Sequence, residues 1–224
     1  MLEAEIAFVE TLDPLLDLCS QLLAQSATSL LASSDIDLEM CWNTASQQAK
    51  GGVESSQWTF KDFKEWVEGG CPIARVTFTD AMAILGVVKE DSKDFRDLTR
   101  ADECQLTRHF KGPVFVTHWP AHLKAFYMRR QRSGSDDSIV ECFDLIVPNV
   151  GELIGGSLRE DDLARLERNG GSRVTKWYSD LRRYGSAPHG GFGLGTDRLV
   201  QFLTGSQSIQ DISFLPRSYK HCPF

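Results

Sequence analysis

The chain has 224 residues, of which 42% are apolar and 25% charged, a composition typical of soluble globular proteins with a sizeable core. Its net charge of −7 argues against a protein that binds nucleic acid without regard to sequence, although a folded RNA can still bind through a local patch. No stretch reaches the roughly 18 consecutive apolar residues of a membrane span, so no membrane partner is expected.

The cysteine and histidine positions do not predict a metal centre. The 6 cysteines include no Cys-x-x-Cys pair, and buried free thiols explain them better than a zinc site or a disulfide framework. His118 and His122 are close in sequence, but Pro120 between them prevents a shared helical face.

Two elements are predicted at the start of the chain. Residues 1–9 alternate as a strand does, with Glu3 and Glu5 on one side. Asp13 is a helix N-cap followed by proline, and the leucines after it predict an amphipathic helix that packs on a sheet. The polar residues 45–57, which include glycine and serine, predict a mobile loop.

The middle of the chain predicts a short strand, a short helix and a solvated stretch. Residues 75–78 are typical of a strand, and Thr79 and Asp80 are in place to cap a helix over 81–85. The charged residues 89–103 lack periodicity, so we expect them to be mostly solvated surface.

Three strands are predicted next. The β-branched and aromatic run 113–119 gives the clearest signal, and it is followed by strands over 125–128 and 139–148. Residues 131–138 are typical of the hairpin turn between the last two strands.

Two helices are predicted in the following region. Residues 151–157 are punctuated by glycine, and helices are expected over 160–169 and 177–184. Consecutive strands with helices grouped between them predict an α+β fold: a mostly antiparallel sheet flanked by helices, in one domain without internal repeats.

The most informative stretch is Gly190-Gly191-Phe192-Gly193-Leu194-Gly195-Thr196-Asp197-Arg198-Leu199-Val200. Its alternate glycines leave one face of an extended segment without side chains, so that a flat ligand can lie on it. Arg198 follows directly, at the start of an apolar run that is compatible with a helix. This arrangement suits a purine on bare backbone with a guanidinium beside its phosphates.

Three further charged residues are candidate ligand-binding groups. Asp144 and Glu152 lie in apolar strand sequence, and two carboxylates in one cleft would hold Mg²⁺ against nucleotide phosphates. Without other context, strand-end carboxylates paired with arginines explain them better. Arg159 follows a Gly-Gly-Ser string and can donate two parallel hydrogen bonds to a carboxyl or amide oxygen, although a lone arginine of this kind usually belongs to the surface.

Together these strings resemble the asparaginyl/aspartyl branch of the class II aminoacyl-tRNA synthetases. Residues 190–200 resemble motif 3 of that family. Residues 143–160 resemble the segment before it, with Phe-Asp, then Gly-Glu, then Gly-Gly-Ser-x-Arg-Glu. Residues 113–128 are similar to the family's Pro-Val-Phe-Val and Lys-Ala-Phe-Tyr-Met strings.

The resemblance also implies which part of the family's catalytic domain is present. Residues 1–8 are similar to the end of motif 2 and residues 211–217 to the closing segment, whereas 24–112 are only loosely similar. Residues 1–224 would therefore be the C-terminal portion of the catalytic domain, from the end of motif 2 to motif 3. Motif 1, the motif 2 loop with its arginine and the anticodon-binding OB-fold have no match, so we expect a catalytic domain that is incomplete on its N-terminal side.

The resemblance implies a role for each matching residue. The catalytic residues would be Glu152, Arg159 and Arg198. ATP would contact Glu152, Gly193, Gly195, Thr196, Asp197 and Arg198, with Arg198 on the γ-phosphate. Mg²⁺ would bind Asp144 and Glu152, and the amino acid would contact Glu3, Gly155, Arg159 and His189.

Glu3 favours asparagine as that amino acid. The resemblance places this side chain where it accepts a hydrogen bond from the asparagine amide, and aspartyl enzymes usually have the shorter aspartate there. A carboxylate beside the substrate side chain accepts an amide donor and repels a second carboxylate.

The resemblance therefore implies an asparagine–tRNA ligase that uses ATP and Mg²⁺, activates asparagine and transfers it to tRNA(Asn), as a homodimer in the full-length protein. Because the motif 2 arginine is absent, we expect this chain alone to be nearly inactive. The alternatives are a non-catalytic binding or regulatory fragment, an aspartyl-tRNA synthetase and a synthetase-like asparagine synthetase. The approach to motif 3 is more similar to bacterial and organellar enzymes, which favours the mitochondrial matrix, with the cytoplasm as the alternative.

Overall fold

A computed structural model of the chain describes residues 1–48, 58–87, 95–132 and 138–216. Within these residues, 6 strands form one sheet: β1 (Leu2–Ala7), β2 (Ala74–Thr77), β3 (Val114–Pro120), β4 (Ile139–Val147), β5 (Gly151–Leu158) and β6 (His189–Leu194). The strand order is β1-β6-β5-β4-β3-β2, and every neighbouring pair is antiparallel except β2 with β3. The predicted α+β class with a mostly antiparallel sheet is confirmed.

The α-helices of the described residues flank this sheet. They are α1 (Asp13–Gln48), α2 (Phe60–Glu68), α3 (Phe78–Ile84), α4 (Arg100–Phe110), α5 (Leu163–Gly170), α6 (Lys176–Arg183) and α7 (Thr196–Thr204). None of the described helices is both long enough and apolar enough to cross a membrane.

Each face of the sheet is covered by its own hydrophobic core, and the two cores extend over different strands. One core contains Leu15 of α1 and the inward side chains of the central strands, such as Phe143 and Ile154. The other core lies on the opposite face, where α3 and α4 pack on Val116 and Ile146. The second face of β1, β6 and β5 is left to line a cavity.

The strand register aligns one residue from each of five strands across the sheet. Val116 is opposite Asp144, Asp144 is opposite Gly155, Gly155 is opposite Gly193, and Gly193 is opposite Glu3. Directly opposed residues of paired antiparallel strands point to the same side of the sheet. This row therefore begins in the second core and ends at the edge strand, with two bare glycines in between.

Helix α1 is longer than predicted. Its apolar pattern continues through Ala27, Leu38 and Trp42, which are all buried, and no glycine or proline interrupts it. The loop predicted over 45–57 is therefore wrong for residues 45–48, which are helical, and its remainder lies outside the described residues.

An aromatic cluster joins the end of α1 to α7. Its members are Trp42, Trp58, Phe63, Trp66 and Phe202. The rings of Trp58 and Phe202 are stacked, with centroids 5.8 Å apart and an interplanar angle of 16°. The indole N–H of Trp42 donates to the carbonyl of Leu203 at 3.1 Å, so the cluster includes a buried hydrogen bond between the two helices.

Helix α3 begins earlier than predicted. The hydroxyl of Thr77 accepts a hydrogen bond from the N–H of Asp80 at 3.2 Å, so Thr77 rather than Thr79 is the N-cap. The strand predicted over 75–78 is confirmed as β2, which ends at this threonine.

The stretch 89–103 is not all solvated surface, as the sequence predicted. Thr99 and Asp102 form a capping box that begins α4, because each side chain accepts the other residue's backbone N–H. Asp102 is buried and its carboxylate lies 2.5 Å from the guanidinium of Arg96, which together with the Thr99 hydrogen bonds lowers the pKa of Asp102 to about 2. Residues 88–94 lie outside the described part of the chain.

The strands predicted over 113–119 and 139–148 are confirmed as β3 and β4, but the strand predicted over 125–128 is wrong. Only Met128 of that segment pairs, in a single bridge with Arg159, and the rest forms turns. Most of the hairpin turn predicted over 131–138 lies outside the described residues.

The last predictions concern the C-terminal third of the chain. The glycine-punctuated residues 151–157 belong to β5, and the helices predicted over 160–169 and 177–184 are confirmed as α5 and α6. Asp162 caps α5, which therefore begins at Leu163.

Candidate active site

On the face of the sheet opposite α1, strands β1, β6 and β5 line a cavity of about 560 Å³. The sequence-predicted residues among its lining are Glu3, Asp144, Glu152, Gly155, Arg159 and Gly193. Candidates that come from separate strings of the sequence are thus brought together by four strands.

Two glycines form the bare floor of this cavity. A Cβ atom on Gly155 would lie 2.9 Å from Oε1 of Glu152 and 3.6 Å from Oδ1 of Asp144, so the two carboxylates surround this position. A Cβ on Gly193 would meet only the sulfur of Met1, at an ordinary 3.5 Å. The packing of the described residues therefore leaves room for a side chain at Gly193, and the space remains open to a ligand.

Arg159 is held at one end of the cavity. Its Nε and Nη2 groups donate to Oε1 of Glu5 at 3.0 and 2.6 Å, and its Nη1 group donates to Oγ of Ser157 at 2.7 Å. Its guanidinium also lies 5.3 Å from the centre of the Tyr127 ring. These contacts fix the orientation of Arg159 and compensate its charge, whereas Glu3 has no ion pair among the described residues.

Asp144 is paired with Lys124 in the middle of the cavity. The Nζ of Lys124 lies 2.5 Å from Oδ2 of Asp144 and 3.7 Å from the centre of the Trp119 ring. Burial, together with the charge of Glu152, raises the pKa of Asp144 to about 6, although Lys124 opposes this rise. Burial alone would lower the pKa of Lys124, but the Asp144 carboxylate raises it overall, so the lysine is charged.

Arg198 lies at the other end of the site, in the first turn of α7. Its exposed guanidinium donates to the backbone carbonyl of Glu152 at 2.5 Å. Gly195 is the N-cap of the helix, and Thr196 and Asp197 are exposed beside it. These residues do not line the cavity, and the contact between Arg198 and Glu152 connects them to it.

Of the residues predicted to contact the amino acid, His189 is the one that the structure does not bring to the cavity. Its ring is half-buried at the start of β6, and Nδ1 lies 2.8 Å from the carbonyl oxygen of Ala187. His189 is not among the described residues that line the cavity.

Sequence reasoning missed three residues with polar side-chain groups that line the cavity: Glu5, Lys124 and Tyr127. The alternation of β1 placed Glu5 on the same side as Glu3, which is the signal that could have found it. Lys124 and Tyr127 belong to the Lys-Ala-Phe-Tyr-Met string, of which residues 125–128 were predicted to be a strand.

Sequence reasoning also missed two residues of α4 that hold the turn before Glu152. The Nη2 group of Arg100 donates to the carbonyl of Asn149 at 2.6 Å, and its Nη1 group donates to that of Val150. Glu103 lies beside them, and burial together with the charge of Glu152 raises its pKa to about 7. The Thr-x-x-Asp pattern of the capping box is the signal that would have placed these side chains on a helix.

The carboxylates of Asp144 and Glu152 are oxygen ligands of the type that Mg²⁺ prefers, and both lie around Gly155. Across the described residues, no group of three or more His, Cys, Asp or Glu side chains could hold a metal. Two carboxylates, of which Asp144 already accepts from Lys124, would hold such an ion only together with ligands from phosphate groups and water.

The profile of the tRNA synthetases class II (D, K and N) matches residues 1–219. The chain belongs to this family of class II tRNA synthetases. The family-level resemblance derived from the sequence is confirmed.

Class II synthetases similar to this chain include two ligases named for asparagine. The asparagine–tRNA ligase of Aliivibrio fischeri and the probable mitochondrial asparagine–tRNA ligase of Dictyostelium discoideum are each 36% identical over 100% of the chain. The matches cover 47% and 48% of those proteins, so the chain spans about half of their length.

A solved class II synthetase has the same fold. The structure of Pyrococcus horikoshii asparaginyl-tRNA synthetase complexed with asparaginyl-adenylate matches with a TM-score of 0.77 and 30% identity. The match covers 96% of this chain and 46% of that chain.

Proposed function

We propose that this chain carries the amino-acid-activating site of an asparagine–tRNA ligase. The observation that carries the proposal is the cavity in which Glu3 and Arg159 lie across bare glycines from Asp144 and Glu152. The names of the similar ligases and the adenylate bound to the archaeal relative support the same assignment.

The charges of the cavity favour asparagine over aspartate. Arg159 is compensated by Glu5, and Lys124 by Asp144, which leaves the carboxylates of Glu3 and Glu152. We assign Glu152 to Mg²⁺ and Glu3 to the substrate side chain. A carboxylate in this position accepts the amide N–H of asparagine and repels the carboxylate of aspartate. We assign Arg159 as the donor to the side-chain carbonyl, with Gly155 leaving room for it. His189 would reach the substrate only after leaving its contact with Ala187.

ATP is assigned to the other end of the cavity. Its adenosine would lie on the bare backbone of Gly193 and Gly195, beside Thr196 and Asp197. Arg198 would exchange the carbonyl of Glu152 for the γ-phosphate, where a charge-assisted hydrogen bond is stronger.

The reaction then has two steps. A carboxylate oxygen of asparagine attacks the α-phosphorus of ATP, pyrophosphate leaves and the adenylate forms. A ribose hydroxyl at the 3′ end of tRNA(Asn) next attacks the activated carbonyl carbon, and AMP leaves. Asp144 and Glu152 would hold Mg²⁺, which when bound neutralises phosphate charge.

The remaining assignments concern the whole protein. We propose that residues 1–224 are the C-terminal portion of the catalytic domain and that the complete enzyme is a homodimer. The mitochondrial matrix is our proposed compartment, because the approach to motif 3 is more similar to bacterial and organellar enzymes. The cytoplasm is the alternative, since a mitochondrial and a bacterial relative are equally similar at 36% identity.

Calorimetric binding of adenylate analogues to the 224-residue chain tests the proposal. The non-hydrolysable sulfamoyl analogue of asparaginyl-adenylate should bind at least about tenfold more tightly than the aspartyl analogue, because only the amide donates to Glu3. Glu3→Gln removes the repelling charge, so this preference should fall towards equality. Glu39→Gln, an exposed change on α1, is the matched control and should leave the preference intact.

Tighter binding of the aspartyl analogue would identify an aspartyl enzyme instead. Binding of neither analogue would contradict an activation site of any kind. Formation of asparagine from aspartate and ammonia would favour the synthetase-like asparagine synthetase.

A further inference from the structure

A second cavity, of about 520 Å³, lies between α2, α4 and the turn that follows β4, and we call it the α2–α4 cavity. Trp58 and Trp66 line it on the α2 side, Arg108 and Lys111 on the α4 side, and Pro148 at the turn. It shares no described lining residue with the candidate active site. A ligand in this cavity is therefore separate from the proposed adenylate.

The two indoles give the α2–α4 cavity a flat, apolar wall that is held in place. Their ring centroids are 6.1 Å apart, and Trp58 is also stacked on Phe202, with centroids 5.8 Å apart. The indole N–H of Trp66 donates to the carbonyl of Pro72 at 2.8 Å, so this ring leaves no free donor for a ligand. Such a wall suits an aromatic body, which gains ring contacts as well as burial of apolar area.

The α4 side of the cavity carries positive charge that the described residues do not compensate. Arg108 and Lys111 are exposed at the end of α4 and are three positions apart, which makes their side chains neighbours. Within the described part of the chain, neither side chain forms an ion pair. Both charges are therefore available to a ligand.

The acidic residues of the same cavity are already engaged. Oδ2 of Asp62 accepts hydrogen bonds from the backbone N–H and the hydroxyl of Thr59, each at 2.7 Å. Oε1 of Glu65 lies 3.7 Å from Nζ of Lys61, one turn earlier in the same helix. The charge left for a ligand is therefore positive, while the two carboxylates disfavour a ligand that carries a second negative charge.

We propose that the α2–α4 cavity binds an aromatic carboxylate. The aromatic ring lies against Trp58 and Trp66, and the carboxylate reaches Arg108 and Lys111, where the guanidinium can donate two parallel hydrogen bonds. An aryl phosphate has the same flat body but about twice the charge, so the two acids of the cavity disfavour it. This site goes beyond the proposed function and does not depend on it.

Calorimetry with the 224-residue chain at low salt compares four probes that share a naphthalene ring and differ in charge. 2-Naphthoate should bind about fivefold more tightly than the neutral 2-naphthamide, because only the carboxylate uses the two exposed cations. 2-Naphthyl phosphate and the 2-naphthylmethylammonium ion should both bind more weakly than 2-naphthoate. Tighter binding of any other probe, equal binding of all four, or no binding of 2-naphthoate at millimolar concentration would overturn the proposal.

Variants of the two cations locate the carboxylate. Arg108→Gln and Lys111→Gln should each lower the preference for 2-naphthoate over 2-naphthamide about twofold, and the double variant should abolish it. Both positions are exposed, so the variants should unfold at the same temperature as the unmodified chain. Lys176→Gln, at an exposed lysine of α6 outside the cavity, is the matched control and should leave the preference unchanged. An unchanged preference in the double variant would contradict the assignment.

Two further measurements locate the ring. Trp58→Phe retains a ring that can stack on Phe202 and should weaken 2-naphthoate and 2-naphthamide by the same factor, about threefold, because the wall loses apolar area for both probes. Unchanged binding of both probes would remove the indole wall from the site and overturn the proposal. Saturation with the asparaginyl-adenylate analogue should leave 2-naphthoate binding intact, and displacement by the analogue would assign the probe to the candidate active site instead.

Discussion

At the scale of single residues, the candidate site is organised by which charge compensates which. The sequence predicted Glu3, Asp144 and Arg159, because each belongs to a recognisable string. It did not predict that Glu5 would form an ion pair with the guanidinium of Arg159, or that Lys124 would form one with Asp144. Those partners are set by the register between strands and by a turn distant in sequence, which no local pattern specifies.

Glu103 gives a residue-scale prediction about pH. Its pKa in the folded chain is about 7, against an ordinary value of 4.5, so folding favours the protonated carboxyl. The stability that this protonation provides is present in full below about pH 4.5 and is lost as the pH rises through 7. Glu103→Gln keeps a neutral side chain at every pH and does not lose this stability. The free energy of unfolding of the variant, relative to that of the unmodified chain, should therefore increase from about pH 4.5 to about pH 7. Urea unfolding across the interval measures this difference.

The control for that experiment is Glu68→Gln, at an exposed glutamate near the end of α2. Its difference from the unmodified chain should not vary over the same interval. If the Glu103→Gln difference is equally flat, the carboxyl does not gain its proton on folding.

At the scale of elements, glycines that look equivalent in the sequence have different physical roles. Gly156 is required for packing, since a Cβ there would lie 2.5 Å from Cζ of the buried Phe143. Gly193 is not, because its Cβ would make only an ordinary contact. The sequence pattern predicted a bare face but could not distinguish a glycine that admits a ligand from one that admits a neighbouring ring.

Alanine substitutions at these two positions should therefore affect different properties, stability at Gly156 and ligand binding at Gly193. Gly156→Ala overpacks the core and should lower the free energy of unfolding by about 1–3 kcal/mol. Gly193→Ala should change it by less than about 0.5 kcal/mol while weakening the asparaginyl-adenylate analogue about tenfold, because the methyl group occupies the cavity floor. Denaturant unfolding and calorimetry measure the two quantities, and unimpaired analogue binding by Gly193→Ala would remove that residue from the site.

Elements with a strong local pattern were predicted well, and elements fixed by a partner were not. Strands β3 and β4 follow from their β-branched and aromatic runs, whereas the segment 125–128 has similar composition but pairs only through Met128. Helix α4 was missed because its capping box lies in a charged stretch without apolar periodicity. In both cases tertiary contacts decide the outcome.

At the scale of the whole molecule, the chain spans about half the length of the relatives it matches. Within the described cavity, Lys124 is engaged by Asp144 and Arg159 by Glu5. Among the described residues that line this cavity, no further cationic side chain is left for the α-phosphate.

The 224-residue chain alone should therefore exchange pyrophosphate into ATP slowly. We expect a rate about 10²- to 10³-fold below that of a chimera in which the part of the Aliivibrio fischeri ligase that this chain does not cover is joined to residues 1–224. Isotope exchange with asparagine at equal protein concentration measures both rates. Equal rates would show that these residues supply all the charge stabilisation that the reaction needs.

The aromatic cluster gives the molecule an optical property of its own. Arg198 and Phe202 belong to the same helix, and Phe202 stacks on Trp58 while Trp42 is bonded to the carbonyl of the next residue. The fluorescence of an indole depends on the polarity and packing of its surroundings. A shift of α7 relative to Trp42 and Trp58 therefore changes the emission maximum and the intensity of their fluorescence. The chain thus contains a built-in, label-free fluorophore at the helix that carries the candidate phosphate-binding arginine.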